Sequence, residues 1–155
     1  MKVEEVMTTK VITATENQTK QQAARLLAQH HISGLPVVNA DNVVVGVVSE
    51  YDVLGKEGKT IGDIMTRGVI SISPLTDLED VGHIFIQERI RRIPVIEQGK
   101  LVGIVSRGDL VREVATRWIC PVCGEVVHSE TQPEQCPRCG AANVPASYEP
   151  APPGA

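Results

Sequence analysis

The sequence predicts an α+β fold: two β-α-β-β-α repeats packed as a pseudo-two-fold pair, followed by a small lobe stapled by a metal ion. Three observations predict it. Residues 3–54 and 61–111 repeat one another. Each copy carries a helical apolar period and then two β-branched runs around a turn. All four cysteines of the 155-residue chain fall in two Cys-x-x-Cys pairs near the C-terminus.

The repeat organises everything before the cysteines. Met7 matches Met65, Pro36 matches Pro94, Gly46 matches Gly103, Ser49 matches Ser106, and Asp52 matches Asp109. The offset is 58 early and 57 late, and the missing residue falls between "NADN" and "EQGK". A length change confined to a turn is what a structural repeat tolerates. Each copy should begin with a short extended piece (Val11–Ala14; Val69–Ile72) and continue into a helix over about 19–31 and 77–90. Ala23, Leu26, Leu27 and Ile32 carry the apolar face of the first helix. Val81, Ile84, Phe85 and Ile90 carry that of the second. "LPVVNADNVVVGVVS" and "IPVIEQGKLVGIVS" read as hairpins, with a second helix after Ser49 or Ser106. "GKEGKT" joins the copies as a linker and lacks the spacing of a phosphate-binding P-loop. One unit of some 50 residues buries too little surface to stand alone, so the two should share a core. The expected boundaries are 1–57, 58–116, 117–144, and a proline-rich, disordered tail over 145–155.

Composition narrows the function classes. Aromatic residues make up 3% of the chain, so the core must be aliphatic. The net charge of −4 argues against nucleic-acid binding by bulk charge. Around the cysteines, Arg138 and His128 face Glu125, Glu130 and Glu134, which argues the same way. No run of 18 apolar residues and no apolar signal core in "MKVEEVMTTK" point to a soluble, cytoplasmic protein without membrane contact. In that reducing setting cysteines read as metal ligands or redox groups before disulfides. His30, His31 and His83 have no partner at catalytic spacing and read as surface or packing residues. Met7 and Met65 read as packing residues, and nothing suggests an enzyme.

"GVVSEYD" and "GIVSRGD" admit two readings. In the first, Ser49 and Ser106 cap helices, with Asp52 and Asp109 completing capping boxes. In the second, the same geometry serves a ligand. The helix start and the serine hydroxyl attract a phosphate, while the carboxylate accepts two hydrogen bonds from the vicinal hydroxyls of a ribose. The copies differ in charge. Copy two has Arg89, Arg91, Arg92 and Arg107 where copy one has Ser33–Gly34 and Glu50. Arginine suits phosphate, so the site centred on Asp109 is expected to be the stronger, with Arg91 and Arg92 reaching the phosphates.

"VMTTKVITA" with "IMTRGVISI", "GLPVV" with "RIPVI", and "GVVSEYD" with "GIVSRGD" make residues 1–115 resemble a tandem pair of cystathionine β-synthase (CBS) domains, a Bateman module. The resemblance implies a cleft for adenosine-containing ligands: AMP, ADP, ATP, NAD or S-adenosylmethionine. It carries binding roles onto Ser49, Asp52, Ser106 and Asp109. It adds Ile12–Thr13 and Ile70–Ser71 at the start of each unit, and the segments around Pro36 and Pro94. It also implies a homodimer and a regulatory task toward a protein partner whose identity the sequence does not give.

Cys120-x-x-Cys123 and Cys136-x-x-Cys139 are separated by twelve residues, and each pair is followed by glycine. Two such knuckles complete a tetrahedral four-cysteine site of the zinc-ribbon kind. His128 falls between them and reads as a surface residue. The segment also resembles the rubredoxin-like domain of rubrerythrins, where iron shuttles one electron. It departs from that pattern at Glu125 and Val126, where an aromatic cover is expected, leaving Trp118 and Tyr148 to shield the metal. Zinc is the favoured ion and iron the alternative.

Overall fold

Thr19 and Asp77 each end an extended segment and start a helix. The computed structural model, which describes residues 1–142 and Val144, shows these as α1 (Lys20–His30) and α4 (Leu78–Glu88). Thr19 caps α1 by accepting from Gln22 N–H, and Gln22 reaches back to Thr19 N–H at 2.8 Å. Both helices stop at a left-handed residue, His31 (φ 50°) and Arg89 (φ 52°), at equivalent places in the repeat. Ala23 and Leu27, then Val81 and Phe85, are buried on the inner faces as their spacing predicts. The proline-rich tail and Tyr148 lie outside the described residues.

Each helix delivers the chain into an antiparallel hairpin. β1 (Gly34–Val38) pairs with β2 (Val44–Ser49), and β3 (Arg92–Glu97) pairs with β4 (Lys100–Ser106). A register shift falls between Val37 and Val38 in one hairpin and between Val95 and Ile96 in the other, the same place in each copy. The one-residue length difference lies in the turns, as expected. Gln98 (φ 50°) and Gly99 (φ 77°) form the tighter turn, a conformation that suits glycine. The two turns meet: Leu101 N–H donates to Asn42 O at 3.1 Å, and Asn42 Nδ2 donates to Leu101 O at 3.0 Å.

The extended pieces that open each repeat are shorter than their β-branched composition predicts. Each forms one parallel bridge, Ala14 to Val37 and Ile72 to Val95, before the chain turns into its helix. Two elements had no sequence forecast: a 3-10 turn over Val3–Glu5 and a one-turn helix α3 (Ile61–Ile64). Each stands just before a Met-Thr pair, with Val6 intervening in the first case, and each pair crosses to the other copy. Thr8 exchanges backbone hydrogen bonds with Ile104 on β4 (2.9 and 3.0 Å), and Thr66 does the same with Val47 on β2 (2.8 and 3.0 Å). Ile61, Ile64 and Met65 thereby join Leu35, Val37 and Val48 in one core cluster.

The chain divides into two compact units, Met1–Ser106 and Arg107 onward. In the second, α5 (Arg107–Thr116) runs into β5 (Arg117–Ile119), which pairs antiparallel with β6 (Val126–His128). His128 bonds Glu113 Oε1 at 2.7 Å, tying β6 to α5.

The crossings depend on two glycines. A Cβ at Gly46 would lie 2.8 Å from Thr66 O and 2.9 Å from Met65 Sδ; at Gly103 it would lie 2.6 Å from Met7 Sδ. Gly46→Ala and Gly103→Ala should each lower stability by about 1–3 kcal/mol in denaturant unfolding. Unchanged midpoints would show that the crossings yield without cost.

Candidate functional site

Because Met65–Thr66 is built into β2, the residues that follow it pass the end of that strand, where α2 (Glu50–Gly55) begins. A cavity of about 620 Å³ results, a size that accommodates a small organic ligand. Copy one supplies Ser33, Val47, Ser49, Glu50, Tyr51, Asp52 and Leu54 to its wall. The crossing segment supplies Thr66, Gly68, Val69 and Ile70, and the end of the copy-two helix supplies Ile90, Arg91 and Arg92. Val47, Val69, Ile70 and Ile90 give an apolar surface suited to a flat ring.

Asp52 is the one buried charged residue among those described, at 3% exposure. Its Oδ2 accepts from Ser49 N–H (3.0 Å) and Ser49 Oγ (3.1 Å), and Asp52 N–H donates to Ser49 Oγ (3.2 Å). The capping box read from the sequence is thus present at Ser49. Oδ1 pairs with Lys56 Nζ at 2.7 Å and accepts from Thr66 Oγ1 at 3.5 Å. These contacts use all of the carboxylate's acceptor positions.

The structure brings together Ser49, Asp52, Ile70, Arg91 and Arg92 on one wall. The sequence reading gave the two arginines to the Asp109 site; in the structure they line the Asp52 cavity, since the crossing puts the copy-two helix end beside the copy-one motif. Arg92 Nη2 donates to Ser33 Oγ. Burial, with Arg91 as a second cause, pushes the Arg92 guanidinium below its ordinary pKa. Ile12, Thr13, Ser71, Pro36 and Pro94 do not line this cavity. The two prolines instead offer their carbonyls to the opening segments, Ala14 N–H to Pro36 O (3.0 Å) and Ile72 N–H to Pro94 O (3.1 Å). Ser106 and Asp109 lie at the end of β4 and in the first turn of α5. Lys56 and Thr66 were missed by sequence reasoning. Lys56 sits in the linker, four residues after Asp52, where an i,i+4 pair was detectable. Thr66 was detectable only as the repeat partner of Thr8.

In the second unit, Cys120, Cys123, Cys136 and Cys139 bring their sulfurs within 4.8 Å of one another. Cys120–Cys139 and Cys123–Cys136 are both 3.6 Å apart. A tetrahedron with metal–sulfur bonds of about 2.3 Å has edges of about 3.8 Å, so the four thiols fit a tetrathiolate metal site. Gly124 (φ 77°) and Gly140 (φ 76°) close the two knuckles by donating to Cys120 O (2.9 Å) and Cys136 O (2.8 Å). The Cys123 and Val122 N–H groups hold the Cys120 thiol down to about 6. The Glu125 N–H acts the same way on Cys123, but burial and the neighbouring sulfurs raise it to about 12. Four thiols crowded together cannot all ionise without a cation among them. Trp118 packs against this cluster and donates from Nε1 to Ser129 O at 3.0 Å.

Residues 3–58 and 61–116 each match the model of the CBS domain. The chain belongs to the CBS domain family. Residues 118–143 match the rubrerythrin, rubredoxin-like domain. Among curated relatives, the CBS domain-containing protein YhcV of Bacillus subtilis is 38% identical over 115 residues, covering 70% of this chain and 81% of YhcV. Others are longer: the chain covers 55% of the chloroplastic CBSX1 of Arabidopsis thaliana, at 32% identity over 61% of this chain. Among solved structures, CBSX2 in complex with AMP superposes with a TM-score of 0.69 at 32% identity, covering 72% of this chain and 93% of that one. The CBS pair of MJ0100 in complex with 5′-methylthioadenosine and S-adenosylmethionine gives 0.68 at 31%, covering 72% and 94%. Two CBS domains with a rubredoxin-like cysteine cluster therefore describe the chain, and no helix among the described residues is long and apolar enough to cross a membrane.

Trp118, the one tryptophan of this CBS protein, reports on the cysteine lobe. Stripping the metal with a chelator should shift its emission to longer wavelength and leave the unfolding of the CBS pair in place. Emission indifferent to the chelator would mean the lobe holds its shape unaided.

Proposed function

We propose that the protein is a non-catalytic regulatory module that binds an adenosine-containing ligand in the Asp52 cavity and passes occupancy to a protein partner. The observation that carries this reading is the joint wall, with a carboxylate, an apolar face and two guanidiniums converging on one cavity. In this reading Asp52 takes the ribose diol, Ile70 and Val47 flank the base, and Ser49, Arg91 and Arg92 serve the phosphate end. The equivalence of Ser106 and Asp109 to Ser49 and Asp52 suggests a second site of the same kind, with Ile12, Thr13, Ser71, Pro36 and Pro94 assigned by family resemblance. Binding of AMP by CBSX2, and of S-adenosylmethionine by MJ0100, supports the ligand class. Ligand can bias only a conformation for which it has differential affinity. Exchange of Lys56 for ribose at Asp52 is one local change that could provide it.

A homodimer belongs to this reading. Tyr51 and Leu54, 79% and 86% exposed on α2, offer apolar surface for a second copy. The four-cysteine lobe is read as a structural zinc site that presents a surface to the partner. The match to the rubredoxin-like domain favours a second reading, an iron centre that transfers one electron under control of the CBS pair. Absorbance of the metal-loaded protein separates them: a ferric tetrathiolate is coloured, and a zinc one is colourless.

Calorimetric titration with AMP tests the main reading. A hydrogen bond to a charged group is worth about 1.5–3 kcal/mol, so Asp52→Ala should weaken binding at least about tenfold. Asp52→Asn, which can retain the helix cap, should also weaken it. Equal affinity of all three proteins, with unchanged melting, would remove Asp52 from the site.

A further inference from the structure

We propose that the Asp52 cavity selects phosphorylated adenosine ligands over neutral and cationic ones, and that Arg92, docked on Ser33 and Gly34, sets this selection with Arg91. The proposal rests on the reading that the cavity takes an adenosine-containing ligand, and it names the charge class. Arg92 enters β3 half-buried, with Nη2 on Ser33 Oγ. Gly34 makes the docking possible, because a Cβ there would collide with Arg92 Nη1. Ser33–Gly34 and Arg91–Arg92 occupy the same positions of the two copies. The charge difference between the copies is therefore complementary: one copy supplies the guanidinium and the other supplies its seat.

The cavity wall carries four charged residues: Glu50, Asp52, Arg91 and Arg92. Asp52 is neutralised by Lys56 at 2.7 Å. Two guanidiniums then face one carboxylate, Glu50, which lies beyond ion-pair distance of either among the described residues and only weakly offsets the burial of Arg92. A half-buried guanidinium without a carboxylate partner carries a desolvation cost that an anion relieves. Phosphate matches its planar fork with paired hydrogen bonds, which is stronger than a neutral contact. A sulfonium at the same end of the ligand would meet the like charge of the two guanidiniums.

Titration of AMP, adenosine and S-adenosylmethionine decides the matter in the full chain carrying Asp109→Asn, so that the Asp52 cavity is the one read. AMP should bind at least about tenfold more tightly than either of the others. Arg91→Gln with Arg92→Gln should bring AMP to the level of adenosine while adenosine affinity stays constant, which also certifies the fold. Gly34→Ala, by pushing Arg92 off Ser33, should lose part of the preference with both arginines still present. Adenosine or S-adenosylmethionine binding as tightly as AMP, or a preference that survives loss of both arginines, would overturn the selection and leave the adenosine reading standing. Failure of all three compounds to bind would overturn both.

Discussion

Two short hydrogen-bonded crossings hold the first unit in the arrangement from which its cavity follows. Each hairpin has two strands, and a two-stranded ribbon is marginal in water by itself. On its first edge it is extended by its own opening residue, Ala14 or Ile72. On its second edge it accepts the Met-Thr pair of the other copy, Thr66 at Val47 and Thr8 at Ile104. Neither copy completes its sheet or its core without the other, which is why a repeat of this length occurs as a pair. Gly46 and Gly103 are the contact points, where the absence of a side chain lets methionine and backbone approach.

The crossing also decides the ownership of the cavity. The acid and the serine come from one copy, and the apolar edge and the arginines come from the other. In the proposed reading a ligand there touches both copies, so its binding free energy falls on the relative placement of segments from each. Lys56 gives the site a resting partner, neutralising a 3%-exposed carboxylate that would otherwise be costly to bury. At the equivalent position of copy two the chain has Glu113, which bonds His128 of the cysteine lobe at 2.7 Å. The same repeat position thus serves the motif acid in one copy and the cysteine lobe in the other.

Periodicity made the helices, hairpins and knuckles legible, because each depends on local residues: Ala23 and Leu27 on one helical face, Gly124 and Gly140 closing knuckles, a length change confined to a turn. The repeat made Ser49 and Asp52 legible as a pair with a capping geometry, and that geometry is present. Chain order did not show where Arg91 and Arg92 lie relative to Asp52. They precede Asp109 in the same copy, yet they line the cavity of Asp52, since a crossing between copies leaves no periodic mark. Lys56 was hidden for a different reason: a lysine in a glycine-rich linker looks solvated until the burial of Asp52 is known. Val69–Ile72 reads as a strand from its composition, but only Ile72 finds a partner before the chain turns.

The central claim is that Asp52 exchanges its lysine for a ribose in a cavity shared by both copies. A crystal structure of the protein grown with AMP tests it most directly. The account requires the ribose hydroxyls within hydrogen-bonding distance of Asp52, Lys56 withdrawn, and the phosphate beside Arg91 and Arg92. Nucleotide bound elsewhere, with the Asp52–Lys56 pair still closed at 2.7 Å, would contradict it.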